Sequence, residues 1–81
     1  QNYPNPFNPS TEIRFELSRP ADVELTVFDI SGRKVKTLEN RKFDSGDHMV
    51  RFDAGNLSSG IYILQFSADG TSQSMKMLYL K

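Results

Sequence analysis

The sequence predicts an all-β fold, an antiparallel sandwich of two sheets with about six or seven short strands. Apolar and polar residues alternate over short runs, which is typical of half-buried strands. β-Branched and aromatic residues dominate those runs, and no segment keeps a convincing helical period over two turns. Turn signals, above all Asp69-Gly70, separate the runs at short intervals. Short strands at this spacing favour an antiparallel sandwich over a parallel sheet.

The chain opens with a proline-rich segment, Tyr3-Pro4-Asn5-Pro6-Phe7-Asn8-Pro9-Ser10-Thr11. Each proline fixes its own φ and lacks an N–H, and the residue before each proline is pushed toward extended geometry. The segment is therefore predicted to be neither a helix nor a central strand. We expect a stiff, turned lead-in over residues 1–10 that carries Tyr3 and Phe7 to a defined place. Together with the strands that follow, it forms one predicted domain over residues 1–81.

The first two strands are predicted on either side of a turn at residues 18–22. The first covers residues 12–17, and the second begins at residue 23. Because side chains alternate between the faces of a strand, the core-facing residues are Ile13, Phe15 and Leu17, then Val23, Leu25 and Val27. Glu24 and Thr26 fall on the opposite face of the second strand.

The chain must reverse at residues 30–33, because another alternating run begins at Arg33 and continues to residue 38. Gly32 suits the left-handed position of a three-residue hairpin loop, where a side chain would clash. Residues 39–47 are mostly polar. They are predicted to form a loop that crosses between the sheets, with Phe43 as its candidate anchor.

The remaining strands are predicted over residues 48–52, 61–68 and 71–80. A turn at residues 53–56 precedes the last two, and Asp69-Gly70 joins them with the strongest short hairpin signal in the sequence. The predicted inward residues are Val50 and Phe52, then Tyr62, Leu64 and Phe66, then Met75, Met77 and Tyr79. Leu78 and Leu80 leave the phase of the last strand open.

Size and composition limit the classes of function. The chain has 81 residues, enough for one core, and its ten basic and ten acidic residues cancel without a long run of one sign that would indicate nucleic-acid binding. The lack of cysteine rules out a disulfide, a thiolate nucleophile and a Cys-type zinc site. No apolar stretch approaches the roughly 20 residues that span a bilayer. Because the chain starts at glutamine, we expect a domain cut from a longer protein whose export signal lies upstream.

Reactive groups for catalysis are scarce. A Ser-His-Asp set would need His48, the only histidine, with Ser45 or Ser58 and with Asp47 or Asp53. Nothing in the sequence indicates a nucleophile elbow, an oxyanion hole or a pocket large enough for a substrate. We therefore expect that the protein is not an enzyme.

Two further kinds of binding site must be considered: a calcium site formed by loop carboxylates and a sugar site formed by aromatic rings. Asp44, Asp47, Asp53 and Asp69 fall in predicted turns without an EF-hand register, and local hydrogen bonds to the backbone explain that placement. Sugar-binding sandwiches usually present exposed aromatic platforms with tryptophan, which this chain lacks. We expect no cofactor and no metal, and a bound calcium ion stays an open question.

Recognition is the remaining class of function. Phe28, Ile61 and Ile63 fall out of phase with the core residues of their strands and should face outward. Either a loop or the lead-in covers them, or they form a docking patch for a neighbouring domain or a transport component. Gly60 and Tyr62 also have two interpretations. In the first, Gly60 relieves strain at a turn and the Tyr62 hydroxyl forms a hydrogen bond with the backbone, as at a tyrosine corner. In the second, the two residues contact a partner directly.

Four motifs follow one another along the chain: the opening segment, Val27-Phe28-Asp29-Ile30-Ser31-Gly32-Arg33-Lys34-Val35, Leu57-Ser58-Ser59-Gly60-Ile61-Tyr62, and Lys76-Met77-Leu78-Tyr79-Leu80-Lys81. In this order they resemble the C-terminal sorting domains of the type IX secretion system. These small immunoglobulin-like modules end many secreted proteins of certain Gram-negative bacteria. The immunoglobulin-like domain of flagellar hook-capping proteins has a related pattern.

The resemblance implies a non-catalytic domain that directs its secreted parent to the type IX machinery, through the periplasm of a Gram-negative bacterium to the cell surface or medium. The implied partners are the upstream passenger domain, the outer-membrane translocon and a sortase-like peptidase, with no nucleic acid. The alternative is a structural module, packed against a hydrolase domain or within a flagellar hook-cap-like assembly. Motif positions and outward phase give these candidate recognition residues: Tyr3, Pro4, Asn5, Pro6, Phe7, Asn8, Pro9, Phe28, Gly32, Arg33, Lys34, Gly60, Tyr62, Ile63, Lys76 and Lys81.

Overall fold

A computed structural model describes residues 10–80 of the chain. This part folds into antiparallel strands without a helix, so none of its segments is a helix long and apolar enough to cross a membrane. The strands are β1 (Ser10–Leu17), β2 (Ala21–Asp29), β3 (Lys34–Phe43), β4 (Gly46–Asp53), β5 (Gly60–Ala68) and β6 (Thr71–Tyr79). The predicted lead-in lies outside the described residues, apart from Ser10 at the start of β1.

The strands form two sheets of unequal width. One contains only β1 and β4, and the other has the order β3-β2-β5-β6. The chain alternates between local hairpins, which join β2 to β3 and β5 to β6, and connections that pass from one sheet to the other. This arrangement confirms the predicted all-β class and is consistent with an immunoglobulin-like sandwich.

One continuous core fills the space between the sheets, and it confirms the predicted inward residues. Ile13 and Leu17 of β1 and Val50 and Phe52 of β4 are buried from the narrow sheet. The wide sheet contributes Val23, Leu25 and Val27 of β2, Tyr62 and Leu64 of β5, and Met77 and Tyr79 of β6. Phe15, Phe66 and Met75 are half-buried and pack against this cluster. The alternating apolar residues in the sequence are therefore the residues on the inner face of each of these strands.

The two hairpins have the turn chemistry that their sequences predict. Asp69 and Gly70 both have positive φ, of 51° and 76°, as a two-residue type I′ turn requires. In the other hairpin, the amide of Gly32 donates to the carbonyl of Asp29 over 3.0 Å, and the amide of Asp29 donates to the carbonyl of Arg33 over 2.9 Å. Gly32 has a φ of 89°, so the loop of three residues with a left-handed glycine is confirmed.

The predicted crossing loop at residues 39–47 is wrong. β3 continues as a strand to Phe43, and β4 begins at Gly46, so only Asp44 and Ser45 join the two sheets. The error arose because this half of β3 is rich in charged residues, which we interpreted as loop. β3 is an edge strand of the wider sheet, however, and most of its side chains reach water. Phe43 is buried, as its role of anchor required.

Candidate recognition surface

The wide sheet has an outer face, directed away from β1 and β4, and a row of four residues crosses it. Pairing between the strands places Lys34 of β3 opposite Phe28 of β2, Phe28 opposite Ile63 of β5, and Ile63 opposite Lys76 of β6. Phe28 and Ile63 are half-buried and neither belongs to the core cluster. The structure thus brings together four residues that the sequence analysis selected separately.

A second apolar pair lies beside this row. Ile61 of β5 is directly opposite Leu78 of β6, and the two side chains are 37% and 47% exposed. We call Phe28, Ile61, Ile63 and Leu78 the apolar strip. Exposed apolar residues are unremarkable when single, but these four are contiguous across three neighbouring strands. The outward orientation predicted for Phe28, Ile61 and Ile63 is therefore present.

The charges around the apolar strip are basic. Lys34 and Lys76 stand at its two ends, and both side chains are exposed. The acidic residues on the outer face of β2, Asp22 and Glu24, lie toward the other end of that strand, where Lys42 is opposite Asp22. The chain as a whole is neutral, so the strip lies in a local basic region of an otherwise balanced surface.

The hairpin between β2 and β3 is held together by contacts to Asp29, the residue after Phe28. The Ser31 hydroxyl donates to Asp29 Oδ1 over 2.6 Å, and the amides of Ser31 and Arg33 donate to the same oxygen over 3.0 Å each. Arg33 Nε lies 3.9 Å from Asp29 Oδ2. These contacts stabilise the carboxylate and so lower the pKa of Asp29 below its ordinary value of 3.8, and the hydrogen bond from the Ser31 hydroxyl has the largest effect.

Tyr62 forms a tyrosine corner, which is the first of the two interpretations of its sequence motif. Its ring is buried and its hydroxyl donates to the Ser58 carbonyl over 2.7 Å. Gly60 starts β5 opposite Tyr79. Tyr62 therefore stabilises the connection into β5 from the inside, and it does not lie on the outer face with Ile61 and Ile63.

His48 lies in an aromatic cluster. Its ring centroid is 5.3 Å from that of Phe15 and 4.9 Å from that of Phe43. Nε2 lies 2.7 Å from the Asp44 carbonyl oxygen, which can only accept, so Nε2 carries the proton and donates it. No hydrogen bond joins His48 to a serine or carboxylate side chain within residues 10–80, so the structure does not assemble the catalytic set considered from sequence.

The aspartates considered as calcium ligands are spread along the chain. Asp44 and Asp69 lie in connections between strands, whereas Asp47 and Asp53, which were predicted in turns, lie near the two ends of β4. The amide of Gly55 donates to Asp53 Oδ1 over 3.0 Å, and Arg19 Nε donates to Asp69 Oδ2 over 3.2 Å. No group of three or more acidic or histidine side chains converges into a metal-binding cluster in the described part of the chain. The predicted local bonding thus accounts for Asp53.

Several candidate recognition residues lie outside the described residues. They are Tyr3, Pro4, Asn5, Pro6, Phe7, Asn8, Pro9 and Lys81. Leu78, in contrast, was not among the candidates, although a signal for it was present. The two-residue turn at Asp69-Gly70 fixes the register of β5 and β6, and counting outward from that turn pairs Ile63 with Lys76 and Ile61 with Leu78.

The fold and this surface define a class: a small immunoglobulin-like β-sandwich with a partly exposed apolar strip on its wide sheet. Within that class, residues 1–80 match the family described as Secretion system C-terminal sorting domain. The chain belongs to this family, as its motifs indicated. No curated protein and no solved structure matches the chain significantly.

Membership of this family gives the general function. The domain is a sorting signal for a secretion system, of the type IX kind, and its family is not catalytic. The family implies an upstream passenger domain, recognition by the secretion system, and export to the cell surface or beyond. The family match gives no support to the alternative of a structural module in a hydrolase or a hook-cap-like assembly.

Proposed function

We propose that this domain directs its passenger to the outer-membrane translocon of the type IX system from the periplasm of a Gram-negative bacterium, and that the apolar strip makes the contact. The observation that carries the proposal is the row Lys34–Phe28–Ile63–Lys76, which crosses all four strands of the wide sheet. Arg33 and Gly32 act indirectly, because they shape the hairpin beside the row.

A folded signal of this kind is read as a surface. Phe28 and Ile63 are far apart in the sequence and meet only when β2 pairs with β5. An unfolded passenger chain with a similar composition would not present the two side chains together. Recognition of the strip would therefore select passengers whose sorting domain has folded.

The proposal also includes processing after transport. In the family that the chain resembles, a sortase-like peptidase often removes the sorting domain, and the passenger is then anchored to surface lipopolysaccharide. This step is supported by the family resemblance.

The test is export of a fluorescent protein fused to residues 1–81, in a host that has the secretion system. Phe28→Thr with Ile63→Thr removes most of the half-buried apolar surface and leaves a β-branched side chain, which suits a strand, at both positions. If each side chain loses about 1 kcal/mol of partner burial, recognition weakens by about 2 kcal/mol, or roughly thirtyfold. Export should fall accordingly.

The matched control is Met49→Thr, which removes a 50% exposed apolar side chain from β4 in the narrow sheet. Export of this variant should equal that of the unaltered fusion. Thermal unfolding of both purified variants shows whether each is folded. Normal export of a folded Phe28→Thr, Ile63→Thr variant would rule out the apolar strip as the contact.

A further inference from the structure

The two lysines at the ends of the apolar strip are separated by the full width of the wide sheet. Lys34 lies on edge strand β3, and Lys76 lies on edge strand β6. Neighbouring strands are about 4.8 Å apart, so three intervals place the two backbone positions about 14 Å apart. The space between them is apolar, with Phe28 and Ile63 in the same row.

Neither lysine has an anionic partner among residues 10–80. Four arginines in this part of the chain form ion pairs with carboxylates, whereas Lys34 and Lys76 form none. Both side chains are exposed. Asp22 and Glu24 of the same face lie toward the far end of β2. Asp29, which follows Phe28, is engaged by Ser31 and Arg33 within the hairpin. The two positive charges are available to a partner.

We propose that the surface that docks on the apolar strip belongs to an acidic protein, with an apolar centre and carboxylates on both sides about 14 Å apart. This inference rests on the proposed function, since it names the chemistry of the partner at the same site. The apolar centre supplies contact area, and the paired rim charges set the orientation and raise the association rate. The partner's apolar centre lies over Phe28 and Ile63 when its carboxylates reach Lys34 and Lys76.

An anionic lipid or lipopolysaccharide surface fits these observations less well. Electrostatic attachment to such surfaces uses clusters of about four to eight basic residues, whereas two lysines flank the strip and the whole chain is neutral. Phe28 and Ile63 are half-buried within the sheet and do not project as membrane-inserting side chains do. A complementary protein face can approach such a shallow surface closely.

The charge test uses the fusion with residues 1–81 and three double variants. Lys34→Glu with Lys76→Glu reverses the two flanking charges, and Lys34→Arg with Lys76→Arg keeps them. The matched control is Lys36→Glu with Lys42→Glu, which makes the same change in net charge at positions opposite Val27 and Asp22. Export is measured for each fusion. Binding is measured to outer-membrane fragments of the secreting host, to protease-treated fragments, and to protein-free vesicles of the extracted lipids and lipopolysaccharide.

The expected result is protease-sensitive binding of the unaltered, Arg and control fusions. The charge-reversed variant should associate at least about tenfold more slowly at low salt, and this difference should shrink at roughly 0.5 M salt. Its export should fall while the Arg variant and the control are exported normally. Rescue by arginine separates a role of the charges from a structural role of the lysine stems.

Two results would overturn the inference without affecting the proposed function: normal export of the charge-reversed variant, or a loss of export that the control shares. Equal binding to protein-free vesicles would also overturn it, in favour of an anionic lipid partner. If the unaltered fusion is not exported at all, the proposed function fails and the inference fails with it.

Discussion

The hydrogen bond of the tyrosine corner can be removed almost without changing the shape of the side chain. In Tyr62→Phe, the bond of 2.7 Å from the hydroxyl to the Ser58 carbonyl is lost and the buried ring remains. This bond ties the connection after β4 to the start of β5. We expect Tyr62→Phe to lower the free energy of unfolding while the fold is preserved.

The expected loss follows from the surroundings of the two atoms. An intramolecular hydrogen bond contributes about 1 kcal/mol net, and a larger loss follows when the remaining partner is left buried and unpaired. Ser58 is exposed, so water can replace the lost donor at its carbonyl, and the loss should stay near about 1 kcal/mol. In a domain of this size, that corresponds to a decrease in Tm of about 4–8 °C.

Tyr79→Phe is the matched control. Tyr79 is equally buried, on neighbouring β6, but its hydroxyl has no hydrogen-bond partner among residues 10–80. Thermal and urea unfolding followed by circular dichroism should show a clear loss for Tyr62→Phe and little change for Tyr79→Phe. Equal losses in the two variants would show that the Ser58 contact adds no stability, and the tyrosine corner would then be a matter of packing alone.

Two further predictions concern the hairpins. Because hydrogen bonds lower the pKa of Asp29 in the folded state, its contribution to stability is complete above the unfolded pKa of about 3.8 and is lost as the pH falls through the lower folded value. NMR titration should therefore give the Asp29 carboxyl a pKa below 3.8. Asp29→Asn should reduce the loss of Tm on acidification. An Asp29 pKa at or above the ordinary value would contradict this explanation. Gly70→Val forces a β-branched residue to a φ of 76° and should cost about 1–2 kcal/mol or more in urea unfolding, whereas Ser74→Val on the exposed face of β6 should not.

The sequence was sufficient for the features that depend on local chemistry. Alternation identified the inner faces of β1, β2, β5 and β6, and the two glycine-containing turns fixed the local hairpins. The pairing of β1 with β4 joins segments that are distant in the chain, and no turn specifies it. It follows only from the need to cover the apolar face of the wide sheet with a second sheet.

The unequal widths of the sheets explain why β3 was misjudged. Two strands cannot cover the inner face of four, so part of an edge strand remains in water although it faces inward. Arg41 of β3 is opposite Val23, a core residue, and yet its side chain stays exposed, with its guanidinium 3.8 Å from the centre of the Phe43 ring. The register of β3 with β2 also shifts twice, after Leu25 and after Val27. Sequence periodicity therefore does not describe this strand.

The central strands of the wide sheet, β2 and β5, carry apolar residues on the outer face, where polar residues would be expected. An antiparallel sheet with one solvated face should carry polar residues there. Thr26 and Gln65 are polar, although Thr26 is buried and Gln65 is half-buried. Phe28 and Ile63 are not polar, although Val27 and Leu64, next to them in the sequence, already supply the core. The inner face explains only one of the two apolar residues at each place, and the proposed contact with a partner supplies an explanation for the other. The apolar strip, with a lysine at each end, is where we expect the secretion machinery to make this contact.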